Sequence, residues 1–394
     1  METNNNYGYC CINTTLQKSD KITTNRSMIK RTFAAKGIEY ASELALLNVK
    51  DLVKVINWNN RNGIKLFRIS SDMFPWMSEY ELSDLPDYNK IVNVLKGAGK
   101  IAMDNGQRLT FHPGPFDVLA SLTQRVVDKC IIDLNKHGEI MDLLGLPRDH
   151  SAPINIHVNT TQGGKEEAMQ RFVDNFKLLD DSVRTRLVVE NDDKESQYTT
   201  EDLYEGVFSK VGVPITFDYH HHWCHPGVLS QEEALKLAAK SWPKGIKQLV
   251  HYSSCQQLHE DETQTNKRAH ADYIYEYIET YGLYLDIELE VKAKELALQN
   301  VKDLVPMIEW NHQHGVKCFR LSSNIFPRFT DSEVESYTID FAKPDLKIAG
   351  DLAKKYGIRI LMHPAQFNQV GALTAKVFDK TIEELSHHAD LLDA

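Results

Sequence analysis

The sequence predicts an α/β fold, a closed (β/α)8 TIM barrel followed by an incomplete second copy of barrel units. Three observations carry that prediction. Strand-like and helix-like segments alternate from about residue 41, the pattern of a parallel sheet wrapped by helices. Eight strand segments can be counted, and eight within roughly 290 residues favour a closed barrel over an open sheet. Finally, FRISSDMFP at residues 67–75 returns as FRLSSNIFP at 319–327; residues 48–75 and 300–327 agree at 17 of 28 positions without a gap. A further block, RLTFHPGPF at 108–116, pairs with RILMHPAQF at 359–367, an offset of 251. Periods of ~20–50 residues mark stacked solenoids, whereas a period near this one is the size of a whole barrel.

The elements follow in order. A first strand is expected at residues 7–12. ELALLNVKDLVKVINWNNRNG is an amphipathic helix ending at Gly63, IKLFRIS a short apolar strand, IVNVLKGAGKIAMDNG the next helix and QRLTFHP the next strand. The strands INIHVN (154–159), RLVVEND (186–192), ITFDYHH (215–221), KQLVHYSS (247–254) and YLDIELEVK (284–292) continue the series, with helices such as KEEAMQRFVDNFKLL and QEEALKLAAKSW between them. TTQGGK (160–165) lacks the Walker spacing and reads as a loop opening the next helix. In DYHHHWCH strand alternation lets only one or two histidines face a common site, so His222, Cys224 and His225 read as loop residues.

Bulk properties narrow the function classes. With 42% hydrophobic residues among 394, the chain can bury a large core. The absence of any run of ~18 apolar residues argues against a membrane span, and the polar start argues against secretion, so an intracellular location is expected, cytoplasm or nucleus. The six cysteines show neither CxxC pairs nor regular spacing, which disfavours a disulfide framework and a thiolate zinc site. A net charge of −10 argues against non-specific nucleic-acid binding, although carboxylates that hold divalent cations are locally neutralised.

Nearly every predicted strand ends in a metal-ligand type: His112, His157, Glu190, Asp218 with His221, His251 and Glu290. A barrel gathers its strand C-termini on one face, so these residues converge on one centre. His, Asp and Glu without Cys suit Zn²⁺, Mn²⁺ or Fe²⁺, and with His270 there are ligands for two or three ions. Glu190 and Glu290 can bridge. Two ions ~4 Å apart form a clamp suited to phosphodiester hydrolysis. Any one strand-end histidine is more often an ordinary polar residue than a ligand; the set is the signal. Ser70 and Ser71, repeated as Ser322 and Ser323, read equally as phosphate contacts or as a strand-to-loop transition.

GYCCINTTL, FRISSDMFP, FHPGPF, INIHVNTTQGGK, VVEND, FDYHHHWC, VHYSS, RAHADYI and DIELEVKAKE occur in this order across residues 7–295. In that order they resemble the UV damage endonucleases, barrel relatives of endonuclease IV and xylose isomerase. The resemblance implies a nuclease that nicks duplex DNA on the 5′ side of ultraviolet photoproducts with a cluster of divalent ions, Mn²⁺ foremost, with Zn²⁺ or Mg²⁺ as alternatives. It implies His112, His157, Glu190, Asp218, His221, His251, His270 and Glu290 as ligands, with Glu190, Glu290 and His112 central to catalysis. It also implies duplex contacts from Tyr9 and Asn13 near the first strand, from Pro115 and Phe116 after the HPG motif, and from Arg68 and Ser70. Two departures stand out. Pro115 and Phe116 occupy positions where the family usually has Gln and an aromatic, and Leu249 stands where it often has Lys.

The catalytic barrel is assigned to residues 1–295 and the partial repeat to 296–394, the counterpart of about 44–144. The repeat has His363, Gln366 and Phe367 but no counterpart of Glu190, Asp218, His251 or Glu290, so it is expected to be non-catalytic. The expected protein is a monomer acting on damaged double-stranded DNA, with the tail docked on the barrel or on another chain. A metal-dependent sugar isomerase or epimerase, or a silent DNA-damage binder, is the competing reading.

Overall fold

The computed structural model describes residues 5–260, 263–276, 278–321 and 343–362, together with 381–382, 385–386, 388–390 and 392–393. Ser322, Ser323, His363, Gln366 and Phe367 lie outside the described residues. Eight parallel strands form a closed barrel in chain order: β1 (Asn6–Cys10), β2 (Leu66–Ile69), β3 (Arg108–Phe111), β4 (Ile154–Ile156), β5 (Leu187–Glu190), β6 (Ile215–Asp218), β7 (Gln248–Tyr252) and β8 (Leu285–Leu289). The pairing of β1 with both β2 and β8 closes the sheet. The strands are mostly shorter than predicted, because the polar residues that follow the last apolar ones leave the ladder. His112 and His157 therefore sit just past β3 and β4 at the barrel mouth.

The wall around the strands comprises α1 (Thr14–Asp20), α2 (Lys30–Arg61), α3 (Tyr88–Asp104), α4 (Gln124–Leu144), α5 (Lys165–Phe176), α6 (Tyr219–Cys224) and α7 (Gln231–Ser241), with shorter turns between. Helix α2 starts earlier than the sequence predicts and bends at Gly37, whose φ of 67° is left-handed. Beyond the bend Leu44, Ala45, Val49, Leu52, Val55 and Ile56 form a buried stripe at helical spacing. Helices α3 and α4 approach so closely that a Cβ on Gly99 would lie 1.8 Å from the Leu144 carbonyl oxygen. TTQGGK does open α5, as expected. YHHHWC, expected as the end of a strand (through His221) followed by loop residues, is helix α6, because the Asp218 side chain accepts from the His221 amide at 2.6 Å and caps it. His222 and Cys224 are consequently buried in a helix.

Period-two alternation fills the lumen in layers. At the N-terminal end Arg108 pairs with Asp286 at 2.8 Å. Above it Leu66, Val188 and Leu249 pack with Trp242 into an apolar layer. Above that the lumen turns polar, through Arg68, Thr110, Asn155, Glu190, His251 and Glu288, all buried.

The chain divides into two compact units, one of residues 1–272 and 280–296, the other of 273–279 and 297–394. The second contains most of α8 (Glu295–Gln313), then β9 (Cys318–Leu321), α9 (Lys343–Tyr356) and β10 (Arg359–Met362). The last two strands pair in parallel with Cys318 opposite Arg359, the same register as Leu66 opposite Arg108 in the barrel.

Candidate metal centre

Glu190, the last residue of β5, is the hub. Its side chain is 1% exposed. One carboxylate oxygen lies 3.1 Å from His112 Nε2, 3.0 Å from His251 Nδ1 and 3.7 Å from His157 Nε2, and accepts from the Asn155 amide. The other lies 3.1 Å from His221 Nδ1. Two three-residue groups, His112–His157–Glu190 and Glu190–Asp218–His251, bring one ligand atom each within 4.8 Å of one another and share Glu190. Of the remaining candidates, His221 joins through Glu190, Glu290 through His251 at 3.3 Å, and His270 through Glu290 at 3.9 Å. All eight candidates therefore belong to one connected network.

The electrostatics suit a cation. Burial opposes the Glu190 charge, yet His251, His157, His112 and His221 around it hold the carboxyl well below the usual range. Burial likewise opposes a charged His251, but Glu190 and Glu290 push it up to about 10. His221 is raised against burial by Asp218 and Glu190. Carboxylates that hold protons on imidazoles this strongly would hold a divalent ion in their place, with proton release. Asp218 has an oxygen suited to such a bond: one oxygen caps α6, while the other is buried without a hydrogen-bond partner among the described residues. The donor set of imidazoles and carboxylates fits Mn²⁺ or Zn²⁺.

The histidine rings are held from behind. Backbone carbonyls of Pro113, Asn191 and Glu290 accept from Nδ1 of His112, His221 and His270 at 3.0, 2.9 and 2.7 Å. His157 Nδ1 lies 3.0 Å from Asp192. Such partners fix ring orientation and tautomer in metal sites.

The six residues assigned to duplex contact separate into two groups. Pro115 and Phe116 are exposed on the loop after β3, Phe116 to 90%. Tyr9 and Asn13 are instead buried: the Tyr9 ring packs on Phe67 at 5.0 Å, its hydroxyl donates to Asn59 at 2.7 Å, and Asn13 caps α1. Arg68 is also buried, ion-paired with Glu288 at 3.0 Å and with Glu290. Ser70, 4% exposed, caps the turn at Ser71–Met73, the strand-to-loop reading of the serine pair. These four are tied into the barrel by partners that a surface contact would have to break.

Sequence reasoning missed Glu288, Asn155, Asn191 and Asp192. Glu288 was legible in principle, because Asp286 and Glu288 in β8 and Glu290 just past it alternate and so share the lumen face. Asn155, Asn191 and Asp192 gave no comparable signal, since polar residues beside strand ends are common.

The UV-endonuclease UvdE family model matches residues 5–299 and, a second time, 293–394. The UV-damage endonuclease of Schizosaccharomyces pombe is 34% identical over 304 residues, covering 74% of this chain and 49% of the relative, so the chain spans about half of that protein's length. The UV DNA damage endonuclease of Clostridium perfringens is 28% identical over 369 residues, covering 91% of this chain and 83% of the relative. Among solved structures, the crystal structure of SacUVDE superposes with a TM-score of 0.65 at 27% identity, covering 76% of this chain and 99% of that one. With a closed eight-stranded barrel, a histidine–carboxylate hub at its mouth and a family match over both copies, the chain belongs to the UV-endonuclease UvdE family.

Proposed function

We propose that the barrel, residues 1–295, is a metal-dependent DNA repair endonuclease that hydrolyses the phosphodiester 5′ to ultraviolet photoproducts in duplex DNA. The observation that carries this reading is the sharing of Glu190 between two ligand groups at the barrel mouth, in a chain of this family. His112 and His157 with Glu190 would hold one ion, and Asp218 and His251 with Glu190 a second; His221, His270 and Glu290 border both. Mn²⁺ is the ion we assign. A pair of such ions supplies charge stabilisation to the attacking and leaving oxygens of phosphodiester hydrolysis. The chain's own residues do the rest. Carbonyl and carboxylate partners keep the imidazoles aimed at the centre, and Arg68 keeps Glu290 ionised against burial. Phe116, exposed beyond β3, offers a ring that can stack where a base step is kinked or opened, with Pro115 stiffening its approach. Residues 296–394 are non-catalytic in this reading.

The test is incubation with Mn²⁺ and supercoiled plasmid, irradiated or not, with and without chelator. Chelator-sensitive nicking of the irradiated plasmid alone is expected, and end-mapping on a single-lesion duplex should find the break 5′ to the lesion. Equal nicking of both plasmids, or nicking that survives the chelator, contradicts the proposal.

A further inference from the structure

Four of the five histidines at the centre have an acceptor at Nδ1 behind the ring: the carbonyls of Pro113, Asn191 and Glu290 for His112, His221 and His270, and the Asp192 carboxylate at 3.0 Å for His157; His221 Nδ1 also lies 3.1 Å from Glu190. A carbonyl or carboxylate only accepts, so Nδ1 carries the proton and Nε2 is the nitrogen left to bind an ion. His251 is turned the other way. Its Nδ1 faces Glu190 at 3.0 Å and Glu290 at 3.3 Å, and its Nε2 faces Glu288 at 3.2 Å.

Glu288 is one layer deeper in the lumen than Glu290, two residues along β8, and is 1% exposed. Its carboxylate accepts from the Thr110 hydroxyl and lies 3.0 Å from Arg68 Nε. Arg68 also pairs with Glu290. Two cationic or donor groups thus hold Glu288 as an acceptor pointing at His251 Nε2.

We infer that Glu288 is the positioning residue of the centre: it fixes the Nε2–H tautomer of His251, so that this histidine binds through Nδ1 while the other four bind through Nε2. Arg68 couples the arrangement to Glu290 by bridging the two carboxylates. Glu288 is assigned no ion of its own: one oxygen accepts from Thr110, and the other lies 3.0 Å from Arg68 Nε and 3.2 Å from His251 Nε2 without a hydrogen bond among the described residues. The inference rests on the metal-centre reading above and deepens it.

The experiment uses the full chain loaded with Zn²⁺ as a diamagnetic stand-in, with histidine side-chain ¹⁵N resonances giving the coordinating nitrogen of each ring. Metal affinity for Mn²⁺ is measured in parallel on Glu288→Leu and Glu288→Gln. One Nδ1-bound ring among otherwise Nε2-bound ones is expected, assigned to His251 by its loss in His251→Ala. Glu288→Leu should weaken Mn²⁺ by about 10- to 100-fold, and Glu288→Gln, which keeps an acceptor oxygen, should recover part of that loss. Nε2 coordination by every histidine in the wild type overturns the inference without needing a folded variant, as does unchanged affinity in a folded Glu288→Leu. A wild-type protein that takes up no divalent ion overturns the metal-centre reading first, a result distinct from both.

Discussion

Strand pair β2–β3 and its copy β9–β10 lie in the repeated segments and keep the same register, but their surroundings differ. In the barrel the Leu66–Ile69 strand is buried at all four positions. In the copy Cys318 and Arg320 are exposed while Leu321 is buried. The exposed pair corresponds to Leu66 and Arg68, which face the lumen; the other two face the helices. Local geometry is reproduced: the amide of Val316 meets Asn311 O at 2.7 Å as Ile64 meets Asn59 O at 2.9 Å, and Arg359 N meets Lys317 O at 2.8 Å as Arg108 N meets Lys65 O at 2.7 Å. Among the described residues the copy has a two-stranded sheet in place of a closed ring. Asn59 Oδ1 accepts from Tyr9 of the first strand and its Nδ2 donates to Gln107, whereas Asn311 Nδ2 has no partner among the described residues, Ile358 standing where the barrel has Gln107. Helix–strand pairing and register are therefore local properties of these words, and a lumen with its charged centre is a property of the closed ring.

Matched substitutions break that comparison in descending order of effect. Glu190→Gln, for which the copy has no counterpart, removes the hub charge; metal uptake and nicking should both fall below detection, measured by bound-metal analysis and the plasmid assay. Ile56 and Ile308 are counterparts and both fully buried. Ile56→Ala should destabilise the barrel by about 2–5 kcal/mol, seen as an earlier loss of activity on heating, while Ile308→Ala should cost less and leave nicking unchanged. Gly99 and Gly350 give the sharpest contrast in sign. Alanine at 99 collides with the α4 backbone and should destabilise, whereas Gly350 has open space among the described residues, so Gly350→Ala should stabilise its helix by about 0.5–1 kcal/mol; thermal melts distinguish the two.

A smaller, pH-dependent difference separates Asp117 from Asn368, its counterpart in the repeat. Burial, reinforced by Asp133, raises the Asp117 carboxyl to about 8. A raised carboxyl favours the protonated form in the folded protein. Its contribution is thus fully present below the usual carboxylate range, near pH 4, and is lost as pH rises through about 8. Asp117→Asn should flatten the fall of melting temperature with rising pH across this interval; an unchanged slope would refute the assignment.

Much of this was legible beforehand because strand alternation and strand-end position are local signals. His112, His157, Glu190, Asp218 and His251 could be read as one centre since each ends or nearly ends a strand, and a barrel makes such positions converge. The destinations of Tyr9 and Arg68 could not be read the same way. Tyr9 finds Asn59 fifty residues away and Arg68 finds Glu290 more than two hundred away, partnerships that exist only once the ring closes. His222 and Cys224 were misread for the opposite reason: the cap from Asp218 is local, but a site reading of that aspartate hid its role as helix initiator.

In this reading only the closed copy assembles a metal centre. His112 and His363 stand at equivalent positions of the two HP motifs, so bound Mn²⁺ per chain, measured after gel filtration for His112→Ala and His363→Ala, tests it most directly. His112→Ala should lose metal while His363→Ala retains the wild-type amount. Equal losses in both variants would contradict it.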